Sequence, residues 1–282
     1  MYPPTPSSFR PYCVLLALLL AVLAYVPAAT AQSFLHENEP TTEVSLEWIK
    51  PFFSDADGLS FFSSVAHVTA RVAFTPRFTL VGSIPIAHLG IEAEVGDVNL
   101  SETNPGNGYL GFQYYGAANT WRVGAGARLP LAADDASALG IGFLADYDHL
   151  EAYVPDLLTI SAEGAAFYGA NTGLRLEAML RPALLFFTGE GEADNEVFIH
   201  YGARTWYTIA PIHVGLGLSG VMVLTEAELS FSERNVPHAT LYLAGDVNNL
   251  RPGVFLRLPL DEEISEDVDF IVGVGLSIML ED

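Results

Sequence analysis

From about position 42 onward, bulky apolar residues alternate with polar or small ones at a period of two, in stretches of roughly ten residues. In 121–129, Trp121, Val123, Ala125, Ala127 and Leu129 share one face, and Arg122, Gly124, Gly126 and Arg128 share the other. The final stretch repeats this, with Phe270, Val272, Val274, Leu276, Ile278 and Leu280 opposite Asp269, Gly273, Gly275 and Ser277. A sandwich core needs volume on its inner face, and glycine supplies none. Glycine opposite large apolar side chains suits a barrel whose bulky face meets lipid.

Read this way, the chain predicts twelve strands, near 42–53, 60–74, 78–86, 108–115, 120–130, 158–168, 173–187, 197–209, 212–224, 239–248, 252–260 and 268–280. Tight turns at 75–77, 116–119, 170–172, 210–211 and 249–251 then alternate with longer loops at 54–59, 87–107, 131–157, 188–196, 225–238 and 261–267. That parity is expected of an even-stranded barrel with both termini in the periplasm. It requires that 139–152, LGIGFLADYDHLEA, not be a strand; Leu139, Phe143, Tyr147 and Leu150 fit a helical stripe, so 131–157 is read as a loop carrying a short helix. The predicted fold is all-β, a transmembrane antiparallel up-and-down barrel of about 12 strands.

The first 31 residues read differently. An apolar core at 14–26, preceded by Arg10 and ended by Pro27, leads to Ala29-Thr30-Ala31, the small-x-small pattern of a signal peptide cut after Ala31. The expected mature domain is therefore 32–282. The lone Cys13 falls within the leader, so no disulfide, thiol or cysteine–metal chemistry is expected of the rest.

Charge sharpens the topology. The whole chain carries 34 acidic and 12 basic residues, which makes nucleic acid an improbable partner. Only 16% of its residues are charged, sparse for a soluble surface and natural for a lipid-facing belt with its charge gathered in loops. The six long loops hold 24 of the 34 acids, predicting a negative outer face. Seven of the basic residues, Arg71, Arg122, Arg128, Arg175, Arg181, Arg204 and Arg257, fall on strand faces opposite the apolar one. They are expected to point into the lumen, because an arginine facing lipid at midplane costs about 2–4 kcal/mol. Two readings stand for this lumen set, which also includes Glu163, Glu177, His200 and His213. The arginines form a basic lining that attracts anionic or polar solutes, or they pair with inward Glu163, Glu177, Asp246 and Asp269 in a network that fills the barrel.

Other chemistry is thin. His67, His200 and His213 sit on separate strands without the spacing of a metal site, and neither metal nor cofactor is expected. His213 and Ser219 share a face but lie about 20 Å apart along a strand, beyond hydrogen-bond reach. Aromatic residues flanking the loops and turns, Trp48, Phe52, Phe53, Phe61 and Phe62 at one end and Tyr114, Tyr115, Trp121, Trp206 and Tyr207 at the other, predict two membrane-interface girdles.

The runs TPRFTLVGSIPI (75–86), GYLGFQYY (108–115) and VGAGARLPL (123–131) together resemble the outer-membrane transporter family associated with phenol-degradation pathways. Arg257-Leu258-Pro259-Leu260 repeats part of the pattern, and Gly106-Asn107-Gly108 replaces the family's glycine-aspartate before the middle strand. The resemblance implies passage of small, including aromatic, compounds across the outer membrane and no catalytic residues. The sequence thus leads to a non-enzymatic outer-membrane barrel with lipid and small solutes as partners, a passive channel or uptake protein with 131–157 restricting its mouth. The alternatives are a closed envelope-stabilising barrel presenting acidic loops and, third, a barrel hydrolase.

Overall fold

The computed structural model describes residues 39–54, 59–93, 99–133, 137–169, 173–189, 194–225, 228 and 230–280; the expected leader 1–31 and the turn 170–172 lie outside them. In chain order the strands are β1 (Glu43–Phe53), β2 (Leu59–Phe61), β3 (Ser64–Thr75), β4 (Phe78–Ala93), β5 (Asn99–Pro105), β6 (Gly108–Tyr115), β7 (Trp121–Leu129), β8 (Leu157–Gly169), β9 (Gly173–Phe187), β10 (Glu196–Ile209), β11 (Ile212–Val223), β12 (Asn235–Gly245), β13 (Leu250–Pro259) and β14 (Val268–Met279). Among the described residues two short α-helices accompany them, α1 (Leu139–Ala145) and α2 (Glu262–Asp267).

Twelve of these strands form the closed antiparallel ring. β1 pairs with β3 on one side and with β14 on the other, from Glu43↔Met279 to Phe53↔Val268, so no edge is left for lipid to meet. β2 and β5 stand outside the ring, on the far half of β4. The first half of β4, Phe78 to Ser83, pairs with β6, whereas Ile86 to Glu92 pairs with β5. The expected loop 87–107 is therefore mostly a β-hairpin projecting beyond the barrel. Its second strand, NLSETNP, lacks apolar alternation and is ordered by the backbone ladder to β4, which is why periodicity missed it. β12 likewise begins at Asn235 rather than 239, its ladder to β11 running through Pro237.

Exposure follows the period-two pattern. Leu216 and Leu218 on β11, Leu241 and Leu243 on β12, and Val254, Leu256 and Leu258 on β13 are all exposed on the outer face. In water such a belt would be an aggregation surface; in a bilayer it is the insertion surface. The residues between them, including Arg257, Thr240 and Ser219, are buried inside. The start of β1 and the end of β14 meet at one end of the barrel, where the Leu280 amide donates to the Thr42 carbonyl (2.8 Å), and the short turns lie at that same end.

Candidate functional site

The lumen is occupied. Segment 131–157 leaves β7 at the long-loop end and, among its described residues, folds down into the barrel. It makes α1 and then a 3-10 turn at Tyr147–Ala152 before joining β8. Ala138, Ala145, Tyr147, Ala152 and Tyr153 have no solvent exposure, and Leu139 has 3%. The expected helix is present, but its buried face is Leu139, Ile141, Gly142 and Ala145, and Phe143 is exposed. The stripe read from sequence assumed one continuous helix through Leu150. The chain instead breaks at Asp146 (φ −134°, ψ 73°), which rotates the second half relative to the first. The segment is a plug within the barrel, where the sequence suggested a restriction at its mouth.

One side of the plug is apolar. α1 and the two tyrosines pack in a cluster with Ile49 of β1, Val65 of β3, Ala87 of β4 and Ile271 of β14. Close approach is built in: a side chain at Gly142 would run into the Tyr153 ring, and one at Gly106 would run into the Ala152 carbonyl.

The other side is charged, and here the expected arginines find partners the sequence did not offer. Glu151 lies 3.0 Å from Arg181, 3.6 Å from Arg128 and 3.5 Å from His200. Asp148 lies 2.6 Å from Arg257 and 3.4 Å from His238. Burial alone would raise both carboxyls, but the groups around them win: Arg257, with His238, holds Asp148 well below the usual carboxylate range, and Arg181, with His200 and Arg128, brings Glu151 down to about 2. These acids, counted with the negative outer rim by position in sequence, belong to the interior.

Asn107, just before β6, ties the plug down at both ends. Its Oδ1 accepts from the Leu131 amide (2.8 Å) and the Ala132 amide (2.9 Å), while its Nδ2 donates to the Val154 carbonyl (2.6 Å) and the Glu151 carbonyl (3.2 Å). Its own carbonyl accepts from Arg128 Nη1 (2.9 Å). The position where the sequence departs from the resembled family's glycine-aspartate is thus the clamp of the plug.

Below the plug, toward the short-turn end, the remaining expected residues pair along the wall. Arg204 meets Glu177 at 2.8 Å, Arg122 meets Glu163 at 3.6 Å, and Arg71 meets Glu43 at 3.3 Å, with Gln113 and Tyr115 hydrogen-bonded to the same Arg71. Arg175 lies over the Phe167 ring at 4.8 Å, and His213 shares Asp246 with Arg251. Asp269 was expected among the inward acids; it sits beside the β1/β14 irregularity, exposed, and accepts from Ser54 Oγ (2.9 Å). Tyr115 and Trp206 are not girdle residues: Tyr115 is fully buried, and Trp206 packs on the buried Tyr242.

Ser219 does not approach His213. It contacts His238 Nε2 at 2.8 Å, and Asp148 contacts the same nitrogen. A nucleophilic triad needs the carboxylate on the opposite ring nitrogen, so this trio lacks relay geometry.

No family model matches the chain, and no curated protein matches it. Among solved structures it is similar to an outer membrane channel from Pseudomonas putida F1 (TM-score 0.54, 11% identity, 89% of this chain and 100% of that one). It is also similar to the translocator domain of the autotransporter NalP from Neisseria meningitidis (TM-score 0.52, 10% identity, 96% of each chain) and to the NanC porin (TM-score 0.50, 7% identity, 85% and 100%). At such identities the likeness shows the fold, and the fold is that of the outer-membrane β-barrels.

Proposed function

We propose that this protein is a non-enzymatic outer-membrane channel for small solutes whose lumen is closed at rest by segment 131–157 and opens when that segment withdraws. The observation that carries the reading is that the ring closes without the plug. β7 pairs directly with β8, Arg128 opposite Thr159, so the segment between them can leave the lumen without breaking a strand ladder. Its charged side is held by contacts that water and ions can replace, and its two ends lie close together at the clamp of Asn107. The resemblance to transporters associated with phenol degradation supports small, including aromatic, solutes.

A second reading has its own support. Below the plug, Gln113 of β6 accepts from Arg71 of β3 and donates to Glu163 of β8, a polar network reaching past intervening strands, as a closed, envelope-stabilising barrel would require. Planar-bilayer recordings separate the two. The channel reading expects rare openings in the native protein and sustained conduction once residues 133–155 are replaced by a short glycine-serine turn. Silence from that inserted, folded variant would establish the closed barrel instead.

A further inference from the structure

His67 is buried on β3, and its ring reaches Asp146 and Tyr153 of the plug. His67 Nε2 lies 2.7 Å from Asp146 Oδ2, Tyr153 Oη lies 3.0 Å from His67 Nε2 and 3.1 Å from the same Oδ2, and His149 Nδ1 approaches Oδ2 at 3.0 Å. One oxygen thus faces three groups. A carboxylate oxygen has two lone-pair sites, and an imidazole nitrogen carries either one proton or one lone pair. His149 Nδ1 also lies 3.2 Å from Oδ1, so hydrogen bonds hold the cluster only with His149 on Oδ1 and the His67 Nε2 proton shared between Oδ2 and Tyr153 Oη. A cation at the centre needs no such sharing, because all four atoms then point lone pairs at it.

We infer that His67, Asp146 and His149 form a transition-metal site, best suited to Zn²⁺, that fastens the plug to the barrel wall. Their ligand atoms lie within 4.8 Å of one another. Bonds of about 2.0–2.1 Å in a tetrahedron separate neighbouring ligand atoms by roughly 3.4 Å. The His67–Asp146 pair, at 2.7 Å, then opens by about 0.7 Å and the Asp146–His149 pair, at 3.0 Å, by about 0.4 Å, shifts that side-chain rotation supplies. Two imidazoles and one carboxylate are a borderline-soft set that favours zinc over calcium or magnesium. Tyr153 Oη or a water fills the fourth position. Arg257 Nη1, 3.8 Å from Oδ1, faces the other carboxylate oxygen and leaves Oδ2 for the metal. His149 is partly exposed, with 23% of its side chain open to solvent, and gives the ion a way in. Asp146 and His149 come from one turn of the plug and His67 from the wall, so binding crosslinks the two.

The binding itself does not depend on the channel reading; only its effect on conduction does. Zn²⁺ is titrated calorimetrically into the metal-free, detergent-folded full barrel in excess Mg²⁺, which occupies the acidic loops. One ion per chain is expected. His67→Ala and His149→Ala should each weaken it by more than about 100-fold, beyond the 10- to 100-fold typical of losing an outer-shell partner. His88→Ala, on β4 and bonded to Thr103, should leave it unchanged. Heat-modifiable gel mobility establishes that each variant is folded. Absence of saturable binding in the native barrel, or binding of native strength in either His67→Ala or His149→Ala, would overturn the site. Conduction in bilayers with and without Zn²⁺ is read separately, and its failure to respond bears on the channel alone.

Discussion

Replacing Asn107 with alanine should loosen the plug while sparing the barrel. The change removes four hydrogen bonds, two at each end of segment 131–157, from a residue with no solvent exposure. At about 1 kcal/mol net per bond the loss is about 4 kcal/mol; if water at the mouth re-satisfies half the freed groups, it is about 2. With a factor of ten per 1.4 kcal/mol, the undocked population rises roughly 30- to 700-fold. Hydrogen exchange read by mass spectrometry measures this directly. The amides of Asp146 and Tyr153, protected by the Gly142 and Leu150 carbonyls, should exchange faster by that factor, with amides of β9 to β11 unchanged. Acceleration of the plug by less than about threefold would refute the clamp. Equal acceleration in plug and strands would show that the plug and ring open as one unit.

Glu151→Gln leaves Arg128, Arg181 and His200 around a neutral amide; undocking should become easier by about 3–5 kcal/mol, and single-channel recordings should show a higher open probability than in the native protein. Gly142→Ala drives a methyl group into the Tyr153 ring, and limited proteolysis should then cut within 137–156 faster than in the native barrel. Leu216→Arg, on the outer face of β11, should lower folding stability by about 2–4 kcal/mol if it lies near the bilayer midplane, as read from urea titration of refolding into lipid vesicles.

The ring was legible because lipid on one side imposes a strict rule on every second residue, and turn parity then counts the strands. The inward direction of Arg122, Arg204 and Arg257 followed from that rule alone. The Arg204–Glu177 pair was less legible, since the two sit opposite each other on β9 and β10 but a long loop, not a tight turn, joins those strands. The plug contacts were beyond reach. Arg257 and Asp148 are 109 residues apart, and no periodicity relates a non-strand segment to the wall it packs on. One sign was available: 137–153 is more apolar than the other long loops, yet spaces Asp146, Asp148 and Glu151 through it. A segment that carries tyrosines and leucines among isolated acids is built to be buried, and arginines were already waiting inside. β5 escaped for a different reason, because backbone pairing orders it without a side-chain pattern.

The plug's acids also fix what an emptied lumen would present. On leaving, the segment takes Asp146, Asp148 and Glu151 with it and abandons Arg128, Arg181 and Arg257 on the wall. In the channel proposed above, the outer half of the lumen would therefore turn basic on opening, and mobile anions would replace the departing carboxylates. Gate and selectivity filter would in that channel be one object: the segment that blocks the path is the counter-charge whose removal would set the sign of what is drawn in.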